Sequence, residues 1–154
     1  MKRKRPNVGD IIEIETSQGL AYAHYTFQEE GRHGPLLRVL PGTFDERPER
    51  FDELVRQDEQ FYTFYPLLRA CREELVTIVA HEAIPDSVEA QPLMRQAGLR
   101  MKGYPTLWFL YDGESATRIE DVTEAHKKLS VAAILNHEAL ISRIEKGYAP
   151  EDDV

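Results

Sequence analysis

The sequence contains a single cysteine, Cys71, so this chain of 154 residues forms no internal disulfide. That usage is typical of the reducing cytoplasm, where we expect the protein to reside. No apolar run approaches the length of a membrane span, since the longest candidate in the C-terminal half covers only residues 104–111. The basic start, MKRKRPN, is not followed by an apolar segment, which argues against a secretory signal. We therefore expect no association with a membrane.

Basic residues are scarce outside the N-terminus. The net charge is −8, but four of the 19 basic residues occupy positions 2–5, which leaves 15 against 27 acidic residues, or −12. Nucleic-acid binding needs a positive surface, so no nucleic-acid partner is expected. An acidic body favours a basic protein partner through electrostatic steering. Acidity that only keeps the protein soluble is an equally simple interpretation.

Motifs for catalysis or metal binding are also missing from the sequence. It has no nucleophile elbow, phosphate-binding loop or dinucleotide fingerprint, and no cysteine pair. No two of the five histidines are four residues apart on one predicted helix; they are His24, His33, His81, His126 and His137. Cys71 has no base beside it and is predicted to be a small, half-buried apolar residue. We expect no cofactor and no catalysis, unless distant histidines converge with carboxylates.

Alternating apolar and polar residues predict strands in the first third of the chain. Residues 10–16 place Ile12 and Ile14 on one face and Glu13 and Glu15 on the other. A turn at 17–19 leads to a return strand at 20–27, which makes 8–27 a hairpin, and 35–40 is a third short strand. Residues 61–85 contain two apolar runs, 61–70 and 75–80, which predict a central hairpin.

Helices and a second hairpin are predicted in the rest of the chain. A short surface helix is expected at 49–57, a strand at 104–111 with a return at 116–119, and one helical turn at 123–128. Residues 130–146 predict the clearest helix, with Ser130 as N-cap and Gly147 after its end. The fold class is therefore α+β and mostly β: a curled antiparallel sheet or partly open barrel, with a C-terminal helix packed on it.

The predicted organisation is a single folded unit with short ends. Residues 1–7 are expected to be a disordered basic arm, 8–150 a single globular domain, and 151–154 an acidic tail.

Three stretches resemble one known family. They are VGDIIEIETSQGLAYAHY near the start, the pair FYTFYPLLRA and LVTIVAHEAIP in the middle, and KLSVAAILNHEALISRIEKGYAP near the end. Together they are similar to the bacterial immunity protein 26 family over most of residues 8–151. One departure is Glu15, where that family often has a proline. The resemblance implies a mostly-β protein encoded beside a polymorphic toxin, which it binds and blocks in the producing cell.

The resulting hypothesis is an immunity protein that neutralises its cognate toxin by occlusion, without catalysis. A toxin that is basic at the contact would meet acidic residues of the central segment, with a tyrosine as a possible aromatic anchor. The candidate contact residues are Asp45, Glu46, Asp52, Glu53, Asp58, Glu59, Tyr62 and Tyr65. Two alternatives stay open: a small hydrolase of esters or phosphotriesters, and a nucleic-acid-binding adaptor that uses the basic arm. The family name has been associated with phosphotriesterase activity, but the sequence shows no metal cluster for that reaction.

Overall fold

The computed structural model describes residues 5–153 and contains two open antiparallel sheets with a C-terminal helix. The fold is α+β and mostly β, which confirms the predicted class. The larger sheet has the strand order β4-β3-β2-β1-β5. Its strands are β1 (Asp10–Thr16), β2 (Gly19–Glu29), β3 (Gly34–Val39), β4 (Phe61–Phe64) and β5 (Thr77–His81). The smaller sheet has the order β6-β7-β8, with β6 (Met94–Ala97), β7 (Trp108–Tyr111) and β8 (Ala116–Arg118).

The first hairpin is confirmed, and its turn depends on a glycine. β1 pairs with β2 from Ile11 opposite His24 to Thr16 opposite Gly19. Gly19 has φ +129°, and a Cβ atom there would lie 2.7 Å from the backbone oxygen of Phe44. Phe44 and Leu20 exchange backbone hydrogen bonds of 2.8 Å in both directions. The turn therefore also supports the segment that follows β3.

The predicted central hairpin is wrong. Only Phe61–Phe64 forms a strand of the first apolar run; residues Leu67–Arg72 form helix α1, and β5 pairs with β1 instead of β4. Pro66 stands at the N-cap of α1, where it ends the extended backbone. Leu67, Ala70 and Cys71 then bury one helical face, a spacing of three and four that the aromatic run before it obscures. β4 and β5 consequently lie at opposite edges of the sheet.

The C-terminal helix is shorter than predicted. Helix α3 spans His137–Glu145, and its N-cap is Asn136, whose side chain accepts a hydrogen bond from the backbone N–H of Ala139 at 2.8 Å. The segment before it stays extended because it runs along β4: the N–H of Leu135 donates to the oxygen of Phe64 at 3.0 Å. Ser130 caps no helix, and its hydroxyl instead accepts from the N–H of Tyr62 at 2.9 Å.

Other elements match the predictions in part. The helix expected at 49–57 is one 3-10 turn, Leu54–Arg56. The strand expected at 104–111 is reduced to β7, its return strand β8 is present, and β6 was not predicted at all. Helix α2 (Glu124–Lys127) forms as expected, capped by Thr123.

Both faces of the larger sheet are buried. Helices α1 and α3 cover one face, where Leu67, Leu140 and Ile144 join the strand residues of the main core. The segment containing Phe51 and the smaller sheet cover the other face in two separate clusters. A sheet covered on both sides explains why its strands are largely apolar on both faces.

The two ends of the chain lie only partly within the described residues. Of the arm expected at 1–7, residues 1–4 lie outside the described range; the N–H of Asn7 donates to the carboxylate of Asp10 at 2.7 Å. In the expected tail, Pro150–Asp152 forms a 3-10 helix and the Tyr148 hydroxyl donates to Asp153 at 2.6 Å, while residue 154 lies outside the described range. No helix within residues 5–153 has the length and apolar character to span a membrane.

Replacing Gly19 with alanine should destabilise the protein by at least about 2 kcal/mol, because the new Cβ meets the Phe44 carbonyl in a backbone conformation that favours glycine. The control is Gly31→Ala, also at positive φ (+72°) but with nothing within 4 Å of the added atom, which should cost about 1 kcal/mol. Urea denaturation measures both values. Equal losses for the two variants would contradict the close approach at Gly19.

Candidate protein-binding surface

A segment rich in carboxylates crosses one face of the larger sheet. Residues 43–60, which we call the acidic loop, connect β3 to β4 and contain seven acidic residues against three arginines. The loop has little regular structure, but its apolar side chains are buried: Phe51, Leu54 and Val55 pack in one cluster with Ile11 and Tyr22. The ring of Phe51 meets that of Tyr22 edge-on at 4.9 Å. The loop is thus attached to the sheet by its own side chains.

A buried arginine of β3 holds the C-terminal half of the acidic loop. Arg38 is 2% exposed, and its guanidinium donates to the backbone oxygen of Val55 at 2.7 Å and to the backbone oxygen of Gln57. Its Nε donates to the carboxylate of Glu59 at 2.8 Å. Charge-assisted bonds of this kind are strong and directional. One side chain therefore fixes the loop at three alternate residues, Val55, Gln57 and Glu59.

A second arginine holds the N-terminal half. Arg47 of the loop forms a two-pronged ion pair with Glu13 of β1, at 2.7 and 3.0 Å. Glu13 is buried, and its carboxylate also accepts a hydrogen bond of 2.9 Å from the hydroxyl of Tyr22. Burial, followed by the hydrogen bond to Glu13, raises the pKa of Tyr22 well above its usual range. The hydroxyl therefore stays protonated and serves as a donor.

The predicted acidic contact residues divide into exposed and paired groups. Asp45, Glu46, Glu53 and Asp58 are exposed on the acidic loop. Asp52 is paired with Arg50 at 2.9 Å, and Glu59 is held by Arg38. The carboxylates of these four exposed residues are therefore accessible from outside the protein.

The two predicted aromatic residues lie inside the protein. Tyr62 is 7% exposed and Tyr65 is 0% exposed, so neither projects toward a partner. The hydroxyl of Tyr62 donates to the backbone oxygen of Glu89 at 2.6 Å, and burial raises its pKa to about 12. The hydroxyl of Tyr65 is hydrogen-bonded to His137 Nδ1 at 2.8 Å. β4 lies at the edge of the larger sheet, but helix α3 and the residues before that helix cover the strand. This cover explains why both tyrosines are buried.

An open groove separates the acidic loop from β5 and the residues after it. One part, about 520 Å³, is lined by residues 47–52 together with Val79, Ala80 and Glu82. A neighbouring part, about 470 Å³, is lined by Asp52, Val55, Arg56 and residues 82–87. The two parts share Asp52 and Glu82, and we call them together the loop–β5 groove.

The histidines each have separate partners. His24 shares its Nε2 between the backbone oxygens of Gly9 and Glu82, His33 contacts Glu29, and His81 Nδ1 contacts Asp10 at 2.9 Å. Burial lowers the pKa of His24, so it is neutral at pH 7. Across residues 5–153, no group of three or more His, Cys, Asp or Glu residues has an arrangement suited to a metal ion. Cys71 was expected to be half-buried but is buried, and burial raises the pKa of its thiol to about 11.

Sequence reasoning missed one exposed apolar surface. Residues 99–107, which we call the apolar loop, connect β6 to β7 and expose Leu99 (82%) and Tyr104 (71%), with Met101 and Leu107 also at the surface. Exposed apolar groups of this size often mark interaction sites. The signal in the sequence is the alternation of Leu99 and Met101 with Arg100 and Lys102, but part of the loop falls within the strand predicted at 104–111.

Comparison with known proteins identifies no relative. No protein-family model matches the chain, and neither the curated proteins nor the solved structures include a significant match.

Replacing Arg38 with methionine should destabilise the protein by about 3 kcal/mol, because Glu59 and two backbone oxygens lose a buried charged partner. Arg56→Met is the matched control on the same loop; its side chain is exposed, so the expected change is below about 0.5 kcal/mol. Urea denaturation gives both values, and amide exchange at 55–59 should accelerate only in the Arg38 variant. Unchanged exchange there would contradict the role of Arg38.

Proposed function

We propose that this protein is an immunity protein that binds a cognate bacterial toxin and blocks it by occlusion, without catalysis. The observation that carries the proposal is the acidic loop, which is fixed by Arg38 and Arg47. Its exposed carboxylates are those of Asp45, Glu46, Glu53 and Asp58. The resemblance of the sequence to the immunity protein 26 family also supports a toxin-binding function. In this proposal the toxin is basic at the contact, and binding takes place in the cytoplasm of the producing cell.

Rigidity of the loop supports tight binding. A loop that is already ordered loses little conformational entropy when a partner binds, so more of the contact free energy appears as affinity. Exposed carboxylates also attract a basic partner at long range and accelerate association. A protein that must capture a toxin before it acts benefits from both effects.

A small hydrolase is the second candidate, and it has one point of support. His81 is 58% exposed in its side chain, and its Nδ1 is held at 2.9 Å by Asp10, which is 0% exposed. A buried carboxylate that orients an exposed imidazole is an arrangement used by general bases. We place this candidate second because the sequence resemblance points to binding.

Charge reversal on the acidic loop should weaken neutralisation. The double variant Asp45→Lys, Glu46→Lys should associate at least about tenfold more slowly with the toxin domain encoded by the neighbouring gene, because electrostatic steering is lost. Association is measured by stopped-flow fluorescence over a range of salt concentrations, and protection by growth on coexpression. The unchanged protein should rescue growth fully.

The matched control is Glu120→Lys, Asp121→Lys, which makes the same charge change on exposed residues after β8. It should associate at nearly the rate of the unchanged protein. Equal slowing in both variants would assign the effect to net charge alone. Absence of growth rescue and of a complex with the unchanged protein would overturn the proposed function.

A further inference from the structure

The strand edges of the two sheets differ in how they are covered within residues 5–153. The edge of β4 is covered by the segment before α3, where the N–H of Phe64 donates to the oxygen of Ala133 at 3.2 Å. The edge of β6 is covered by the segment around Val131, which forms an isolated β-bridge with Arg95. In this bridge the N–H of Ala132 donates to the backbone oxygen of Arg95 at 2.8 Å. β5 and β8 each have a strand neighbour on one side only. These two strands present open edges.

The open edge of β5 has a β-bulge opposite Ile11 and Ile12 but, among the described residues, lacks charged side chains, proline and a covering segment. Its sequence, TIVAH, contains no acidic residue, lysine, arginine or proline, and Ile78 and Val79 are partly buried. Soluble proteins normally protect an open edge with charged side chains, proline or a covering segment. β8 is only three residues long, is fully exposed and ends in Arg118. A register shift opposite Ile11 and Ile12 twists β5 locally, but within residues 5–153 no segment pairs with its outer side.

We propose that β5 pairs with an extended basic strand of the partner, which adds a sixth strand to the larger sheet beside the acidic loop. This inference rests on the proposed function and specifies how the toxin is held. In strand addition, backbone hydrogen bonds supply much of the affinity, and pockets for alternate side chains supply the specificity. The loop–β5 groove is the space that receives those side chains.

The charges in the groove determine what kind of strand fits. Four charged groups beside β5 form two ion pairs, Arg47 with Glu13 and Arg50 with Asp52, so their charges neutralise each other. Of the other charged groups that line the groove, Arg56 is basic and Glu49, Glu82 and Asp86 are acidic, and none of the four has an ion-pair partner among residues 5–153. The acidic groups are therefore in excess. A strand with lysine or arginine on this side places opposite charges next to them. Its apolar side chains can meet Val79 and Ala80 in the same groove.

Charge also disfavours a second copy of this chain as the occupant. A pair of β5 strands from two copies would bring two acidic loops to the same edge, because each loop lines the groove beside its own β5. Like charges brought together at an interface oppose association. The edge therefore suits a basic partner better than self-pairing.

The test uses a nine-residue synthetic peptide in which lysine alternates with valine and threonine. A matched peptide has the same sequence but carries N-methyl groups on the valine and threonine amides, which keeps the charge and removes backbone donors. Amide exchange of the full chain is followed by NMR with each peptide at millimolar concentration. The unmethylated peptide should slow exchange at 77–81 at least fivefold, and the methylated peptide should have no effect there.

Three results would overturn the inference. They are unchanged exchange at 77–81, equal effects of the two peptides, and a dimer of the free chain in which 77–81 is already protected. The outcome is separate from that of the toxin experiment. Toxin neutralisation without any peptide effect at β5 removes strand addition and leaves the immunity function; peptide protection without neutralisation removes the immunity function and leaves a strand-binding edge.

Discussion

The buried guanidinium of Arg38 is the interaction on which the proposed surface depends. A charged group placed against the sheet is costly unless every donor has a partner, and the acidic loop supplies those partners through Val55, Gln57 and Glu59. The loop is fixed in return, although it contains only one 3-10 turn of regular structure. The ion pair between Arg47 and Glu13 fixes its other half. The exposed carboxylates are thereby held against the larger sheet by a loop that is itself mostly neither helix nor strand.

The two sheets give this support its position. The larger sheet is covered on one face by helices and on the other by the acidic loop and the smaller sheet, so its rim is where a partner can approach. Of its two edges, β4 is closed by the segment before α3, whereas β5 is open and lies beside the loop. Acidic loop, groove and open edge are thus adjacent. The apolar loop of the smaller sheet is a separate exposed surface.

Local sequence patterns predicted the local structure. They did not predict contacts between segments that are distant in the sequence. The alternation of Ile12 and Ile14 and the glycine at 19 were enough for the first hairpin. The pairing of β5 with β1 joins residues about seventy positions apart and leaves no local signal, so the neighbouring run was chosen instead. Tyr62 and Tyr65 were expected at the surface, yet segments distant in sequence cover them. Four of the six acidic residues named from the sequence are exposed, but nothing near Arg38 in the sequence indicates which backbone oxygens it binds.

The most direct measurement is a map of amide exchange for the full chain, free and bound to the toxin that we propose as its partner. The account predicts slower exchange in the acidic loop, residues 43–60, on binding, with the apolar loop at 99–107 unchanged. Protection confined to 99–107, with the acidic loop unaffected, would contradict the claim that the carboxylates held in place by Arg38 form the binding surface.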